Sequence, residues 1–172
     1  MSLVIDASIA GAATEKEVPT SRYCRDFLLA VLEICHKVVM TPELLAEWKR
    51  HRTSFARKWL RQMYGRNKVV MVSAMKDSAI EKRLSKAVAK AAERQAVLKD
   101  VLLLKAAFAA DRLIASRDDT ARRILSRCCS GVPEIADIVW VNPVNPEEEA
   151  LSWLKRGAPA ENARKLGNES GE

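Results

Sequence analysis

The sequence predicts an α/β fold of three layers, α/β/α, with a central, mostly parallel sheet of about five strands. Two observations predict it: short apolar runs alternate with segments of helical periodicity, and each run is continuously apolar instead of alternating with polar residues. Strands of that composition are typical of a parallel sheet with both faces covered by helices. The low content of glycine and proline, six residues each in 172, argues against a turn-rich β-sandwich.

The first half of the chain contains three predicted strands and two predicted helices. In chain order these are a strand at 3–5, a helix at 21–36, a strand at 37–40, a helix from Thr41 to about Met63, and a strand at 69–72. The second helix has the clearest start, because Thr41 is a good N-cap and Pro42 fits the first helical position.

The second half is predicted to begin with a long helical stretch, since no glycine or proline occurs between Gly65 and Gly131. Within it, two helices are expected to meet near 95–100. The remaining predicted elements are a strand at 113–116, a helix from Asp118-Asp119 to about Cys128, a strand at 137–141 and a short amphipathic segment at 146–154. We expect one domain over residues 1–155, with an extended helical segment at about 73–99, and a flexible polar tail at 156–172.

The composition excludes several classes of protein. The four cysteines form no C-x-x-C pair, which favours free thiols in a reducing cytoplasm. Two histidines leave too few ligands for a zinc site, and Gly11 is the only glycine before residue 65, so the glycine signatures of nucleotide-binding loops are missing. Neither a signal peptide nor a membrane span is expected. The net charge of +7 favours polyanionic partners.

Four acids occur at positions where a parallel α/β sheet places functional residues. Asp6 follows the first predicted strand and Asp118 follows the fourth, and such residues collect at the carboxyl edge of an open sheet. Glu47, after the second strand, and Asp100, on the helix leading into the fourth, stand among apolar neighbours within reach of the same edge. An acid in apolar surroundings is unfavourable unless it is paired or binds a cation.

Four acids from four segments, with almost no histidine, indicate an oxygen-ligand site for Mg²⁺ or Mn²⁺. Repulsion between the carboxylates should raise the pKa of at least one of them. Such metal sites are suited to in-line hydrolysis of phosphodiesters. Other interpretations stay open: Asp118 or Asp119 as a helix N-cap, Glu47 in a salt bridge with Arg50, and Asp100 as a helix cap.

The order of these acids resembles the PIN-domain nucleases, especially the toxin ribonucleases of bacterial and archaeal toxin–antitoxin pairs. The segments that carry the resemblance are Leu-Val-Ile-Asp-Ala-Ser at 3–8, the segment 41–47 ending in Glu47, Asp100 with Leu103, Ala106 and Ala107, Ser116-Arg117-Asp118, and Val141-Asn142-Pro143. Together they cover about residues 3–154. The chain departs from the compact toxin pattern in the helical stretch 73–99.

The resemblance implies a divalent-metal-dependent endoribonuclease that hydrolyses the phosphodiester bonds of single-stranded or structured RNA. The site residues that it implies are the catalytic metal ligands Asp6, Glu47, Asp100 and Asp118, the auxiliary acid Asp119, and the supporting hydroxyls of Ser8 and Ser116. It also implies Mg²⁺ or Mn²⁺ as cofactor, a homodimer, and an antitoxin protein as partner. The long helical stretch is a departure from the toxin pattern, so it argues against the toxin role more than against the nuclease activity.

A basic stretch without any acid follows Glu47. Its cations are Lys49, Arg50, Arg52, Arg57, Lys58, Arg61, Arg66 and Lys68. The aromatic residues Trp48, Phe55 and Trp59 share one helical face and are expected in the core, so the cations occupy the exposed faces. A second group, which includes Arg117 and Arg122, brackets Asp118. Binding of a phosphate backbone is the favoured interpretation of both groups.

Two other functions stay open. A non-catalytic nucleic-acid-binding or regulatory module on the same fold would account for the basic stretch but leaves the four acids unexplained. A receiver-like signalling domain also uses acids at strand ends, but it needs two adjacent acids after the first strand. Here Asp6 follows Leu3-Val4-Ile5 without an adjacent second acid, which argues against this function.

Overall fold

The computed structural model describes residues 1–73, 78–88 and 90–168, and it confirms the predicted α/β class. A five-stranded sheet of order β3-β2-β1-β4-β5 forms the centre, and every strand pair in it is parallel. Its strands are β1 (Ser2–Ile5), β2 (Lys37–Met40), β3 (Val69–Met71), β4 (Leu113–Ala115) and β5 (Val139–Val141). Because β2 and β4 flank β1, the strand order reverses at β1, and this is the point at which open sheets form their binding crevice.

Helices form the outer layers. They are α1 (Ala7–Ala12), α2 (Pro19–Glu33), α3 (Pro42–His51), α4 (Ser54–Gly65), α5 (Ser78–Ala87), α6 (Ala91–Phe108), α7 (Asp119–Cys128) and α8 (Ala150–Lys155). One group is built around α2, which contacts α1, α4 and α8. The other is built around α6, which contacts α5 and α7 and packs on β1, β2 and β4. β1, β2, β4 and β5 are largely buried between the two groups, as their apolar sequence predicts, whereas the edge strand β3 is partly exposed.

The single helix predicted from Thr41 to about Met63 is wrong, because the structure divides it into α3 and α4 at Arg52-Thr53. The Thr53 hydroxyl accepts a hydrogen bond from the Ala56 N–H at 3.1 Å and donates to the Ala13 carbonyl. Thr53 therefore caps a new helix and ties it to the end of α1. The aromatic contact expected along one continuous helix forms across the break instead.

That contact joins Trp48 and Trp59, whose ring centroids lie 5.7 Å apart in the core. Each indole N–H is bonded as well, Trp48 to the Ile5 carbonyl at 2.8 Å and Trp59 to the Leu28 carbonyl at 2.5 Å. Both side chains are buried, as the periodicity predicts.

The helix junction expected near 95–100 is also placed wrongly. The chain breaks after α5 and restarts at α6, so residues 91–108 form one uninterrupted helix. At the break, Nη2 of Arg94 donates to the Val88 carbonyl at 3.0 Å, which satisfies a group at the end of α5. Asp100 consequently lies in the interior of α6 and is not a helix cap. Residues 74–77 and 89 of the predicted helical segment lie outside the described residues.

The flexible tail expected from residue 156 is corrected by the structure as far as Asn168. Leu166 is buried, and its N–H donates to the Ile138 carbonyl at 2.9 Å. Lys165 forms an isolated antiparallel bridge with Val139, so this segment covers the outer edge of β5. Residues 169–172 of the predicted tail lie outside the described part of the chain.

Across residues 1–73, 78–88 and 90–168, none of the helices combines the length and the apolar character needed to cross a bilayer.

Candidate metal centre

The first two acids of the site come from neighbouring strands. Asp6 follows β1 directly, and its N–H donates to the Ala115 carbonyl of β4 at 2.9 Å. Ile5 and Ala115 are paired in register, so the carboxyl ends of β1 and β4 lie side by side. Asp118 comes three residues after Ala115 and is therefore carried to the same edge of the sheet as Asp6.

Two hydroxyl groups orient the Asp6 carboxylate. The Ser116 hydroxyl donates to Asp6 Oδ2 at 2.7 Å, and the Ser8 hydroxyl donates to the same oxygen. Ser116 is buried, and its oxygen also accepts a hydrogen bond from the Asp118 N–H at 3.1 Å. Ser116 thus links the two acids. Asp6 Oδ1 has no hydrogen-bond partner among the described residues, so it remains open to a ligand.

Glu47 reaches this edge because α3 is fastened to the end of β1. Thr41 caps the helix by accepting from the Leu44 N–H at 3.2 Å. Trp48, the residue after Glu47, is fully buried and donates its indole N–H to the Ile5 carbonyl at 2.8 Å. This bond fixes the rotation of α3 and places Glu47 beside the residue that follows Ile5, which is Asp6. Across the described ranges, Glu47 has no salt bridge to Arg50 or to any other cation.

The charges of the other three acids act on Asp100. Burial, the largest cause, and then the negative charges of Asp6, Asp118 and Glu47 together raise the pKa of the Asp100 carboxyl to about 7. Desolvation disfavours the ionised form, and like charges at short range disfavour it again. The helix α6 thus presents an acid from one layer to acids held by β1, β4 and α3.

The two acids at the start of α7 have different roles. Asp118 caps the helix, since its Oδ1 accepts from the Ala121 N–H at 2.8 Å, yet its charge still acts on Asp100. The N-cap interpretation and the acidic-site interpretation therefore both apply to it. Asp119 instead accepts from the side-chain amide of Asn142 at 2.9 Å. The structure does not bring Asp119, the auxiliary acid of the sequence prediction, to the other four.

A cleft of about 450 Å³ opens over Asp6 and Glu47, and Asp100 and Asp118 are not among its lining residues. Its lining residues are Asp6, Ala7, Ser8, Gly11, Glu47, His51 and Arg117. Sequence reasoning missed His51 as a site residue, although its position one helical turn after Glu47 was a usable signal. Arg117 is held at the rim, where Nη1 of its guanidinium donates to the Ser8 carbonyl at 3.2 Å.

A larger cavity, of about 970 Å³, lies along α7 and does not contain the four acids. Among its lining residues, the three arginines Arg122, Arg123 and Arg127 are matched by three acids, Glu93, Asp119 and Glu148. Its lining charges therefore balance, and it offers no comparable constellation for chemistry.

Most of the side chains predicted to contact nucleic acid are exposed. Exposed side chains belong to Lys49, Arg50, Arg57, Lys58, Arg61 and Arg117, and Arg52 is half-buried. Arg122 is a correction: it is buried, and its Nη1 forms an ion pair with Glu148 at 2.7 Å, so it does not belong to an RNA-facing surface. This pairing joins residues 26 positions apart and has no local sequence signal.

Two further cations of the basic stretch have a structural role. Lys68 Nζ donates to the carbonyls of Val31 at 2.8 Å and Leu32 at 2.7 Å, and Arg66 Nη1 also donates to Leu32 at 3.1 Å. They satisfy the free carbonyls at the end of α2. Burial lowers the pKa of Lys68, and it has the largest effect on that pKa.

The donor set fits a hard divalent cation in its chemistry, since it consists of carboxylate oxygens oriented by hydroxyl groups. In the described part of the chain, no three Asp, Glu, His or Cys side chains are grouped closely enough to hold a metal ion as they stand. The four acids are thus within electrostatic range of one another without forming a compact ligand cage. Among known proteins, no family model matches the chain and no curated protein matches it.

Proposed function

We propose that this protein is a divalent-metal-dependent endoribonuclease of PIN-domain type, which hydrolyses phosphodiester bonds of single-stranded or structured RNA. One observation carries the proposal: at the switch point of a parallel sheet, burial and then the charges of Asp6, Asp118 and Glu47 raise the pKa of Asp100. A structural role for four mutually repelling acids is hard to justify, because their repulsion opposes folding.

The residues that would hold Mg²⁺ or Mn²⁺ are Asp6, Glu47, Asp100 and Asp118. When bound there, such an ion supplies an activated water and offsets charge on the phosphodiester. Ser8 and Ser116 keep the Asp6 carboxylate in one orientation through their hydrogen bonds. Orientation of this kind preserves the alignment on which in-line displacement depends.

The RNA partner is supported by the charge distribution. Exposed cations of α3 and α4, which include Arg57 and Arg61, follow Glu47 in the chain, and residues 48–68 contain no acid. Phosphate groups bind such a surface through charge and independently of base sequence. A homodimer and a toxin role with an antitoxin protein as partner belong to the same proposal and come from the PIN-domain resemblance. A cytoplasmic location belongs to it as well and is based on the unpaired pattern of the four cysteines.

Cleavage of labelled single-stranded RNA tests the proposed activity. Wild-type protein is expected to cleave in Mn²⁺ or Mg²⁺ and to lose cleavage in EDTA. Asp6→Asn is expected to lower the rate by at least about a hundredfold with the fold intact, since one charged ligand becomes neutral. The matched control is Asp137→Asn, an exposed acid that precedes β5 at the opposite end of the sheet.

Two results would contradict the proposal. Absence of cleavage with any divalent ion, or full activity of Asp6→Asn, would remove the nuclease assignment. Circular dichroism of both variants establishes that a loss of activity is not a loss of folding.

A non-catalytic nucleic-acid-binding module on the same fold is the second candidate. It is favoured by one observation, that the acids in the described residues are not grouped as a ready ligand set. The two candidates differ in an equilibrium measurement: the nuclease requires a metal-dependent rise in melting temperature that Asp6→Asn reduces, whereas the binding module does not.

A further inference from the structure

His51 occupies a particular place in the cleft. It is the last residue of α3, it is exposed, and it lines the same cavity of about 450 Å³ as Asp6 and Glu47. Its imidazole makes no hydrogen bond or ion pair with the described residues. Asp6, Ser8 and Arg117 in this cleft have hydrogen-bond partners, whereas the unbonded imidazole is available to a ligand.

We propose that His51 is a substrate-contacting residue, whose ring N–H donates to a phosphate oxygen of an RNA strand in the cleft, with the cation Arg117 as a second contact. The proposal rests on the proposed nuclease function and adds a residue to it. A neutral imidazole already carries one N–H donor, so the contact does not depend on protonation of the ring.

The backbone holds His51 in a defined place. The Thr53 N–H donates to the Ala10 carbonyl at 3.2 Å, and the Thr53 hydroxyl donates to the Ala13 carbonyl. The end of α3 is therefore fastened to α1, the helix that begins directly after Asp6. The distance between His51 and the acids is thus set by two anchored helices and not by a mobile loop.

Gly11 makes this close approach feasible. A Cβ added at Gly11 would lie 3.1 Å from the His51 carbonyl oxygen, which is closer than an ordinary contact. Since the neighbour is backbone, relief would require α1 and the end of α3 to move apart. A glycine at this position keeps the wall of the cleft formed by His51 close to the one formed by α1.

The negative charges in the cleft explain why RNA would need a contact with His51. The acids Asp6 and Glu47 on the floor of the cleft repel an RNA strand, so positive or hydrogen-bonding groups are needed on its walls. Arg117 supplies one such group, although Nη1 of its guanidinium is already bonded to the Ser8 carbonyl. His51 is the further nitrogen-bearing side chain that lines this cleft.

Steady-state cleavage of a fluorescein-labelled single-stranded RNA in Mn²⁺ tests the contact. We expect His51→Ala to raise KM about tenfold with kcat within about twofold, because the contact is made to the phosphate in the ground state as well as in the transition state. His51→Gln, which retains an N–H donor, should recover most of the affinity. Gln62→Ala, an exposed change on α4 outside the cleft, is the matched control and should leave both constants unchanged.

The outcomes separate this proposal from the one on which it rests. If wild-type protein cleaves and His51→Ala has an unchanged KM, the His51 contact is wrong while the nuclease function stands. A fall in kcat at constant KM, or no recovery in His51→Gln, would also overturn a phosphate contact. If wild-type protein cleaves nothing in any divalent ion, both proposals fail. Melting curves show whether the His51 variants keep the wild-type fold.

Discussion

Asp100 is the residue at which stability and proposed function oppose each other most directly. It lies in the interior of α6, where it is half-buried close to the buried Val97 and Val101. The charges of three other acids act on its carboxyl. A neutral residue there would remove both the desolvation of a charge and the repulsion among the acids. Destabilised groups of this kind are typical of functional sites, where selection for activity outweighs selection for stability.

The pH dependence of the metal-free protein should show this opposition. The pKa of Asp100 is about 7 in the folded chain against 3.8 ordinarily, so between these values the folded state binds more protons than the unfolded state. Its contribution therefore lowers stability progressively as pH rises from about 4 to about 7. In EDTA, Asp100→Asn is expected to melt higher than wild type at pH 8, and the difference should shrink toward pH 4.

Addition of Mn²⁺ at pH 8 is expected to change the order of the two melting temperatures, since wild type gains stability from binding the ion and Asp100→Asn gains less. Thermal melting followed by circular dichroism measures both effects. A difference between the two proteins that is the same at pH 4 and pH 8 would show that the Asp100 carboxyl does not face the other acids.

At the scale of elements, the break between α3 and α4 decides the shape of the cleft. A continuous helix from Thr41 would carry the chain away from α1, whereas the break at Thr53 turns α4 back toward α2. The sequence contains a Thr-Ser pair that could cap a helix, but the helical period of Trp48 and Trp59 runs through it. The local signal for a cap was weaker than the periodic signal for a longer helix, and the tertiary bond from Thr53 to Ala13 decided between them.

Thr53→Ala is expected to destabilise the protein by about 1–2 kcal/mol, because it removes an N-cap together with a buried tertiary hydrogen bond. Thr53→Ser keeps the hydroxyl and serves as the matched control, with a loss well below that of alanine. Urea unfolding followed by tryptophan fluorescence measures the difference, since Trp48 and Trp59 stack across this break. Equal stability of the alanine variant and wild type would show that the cap does not hold α4.

For the whole molecule, the parts that sequence predicts are those with a local cause. Each strand is a continuous apolar run, and the positions of Asp6 and Asp118 follow from the strand ends, so sheet and acids could be predicted together. His51 has one local signal, its position one helical turn after Glu47, but its place in the cleft depends on the packing of α1 on α3. The burial of Arg122 by Glu148 and the return of residues 156–168 along β5 depend equally on contacts between distant segments.

The uneven distribution of charge over the molecule leads to a prediction about RNA affinity. The net charge of +7 includes the exposed cations of α3 and α4, whereas the acids Asp6 and Glu47 line the cleft. Replacing Arg57 and Arg61 with alanine should weaken binding of single-stranded RNA and reduce the slope of log K against log salt concentration by about 1.4, since each of the two phosphate contacts contributes about 0.7.

Lys82→Ala with Lys86→Ala is the matched control, because it removes the same charge from exposed positions of α5. Binding is measured by fluorescence anisotropy across a salt series with Asp6→Asn protein, so that cleavage does not deplete the RNA. If the basic surface of α3 and α4 binds the strand, only the arginine pair changes the slope, while both double variants lower the net charge equally. Equal slopes for the two double variants would mean that RNA responds to the overall charge of the molecule, and the surface beside the cleft would lose its assigned role.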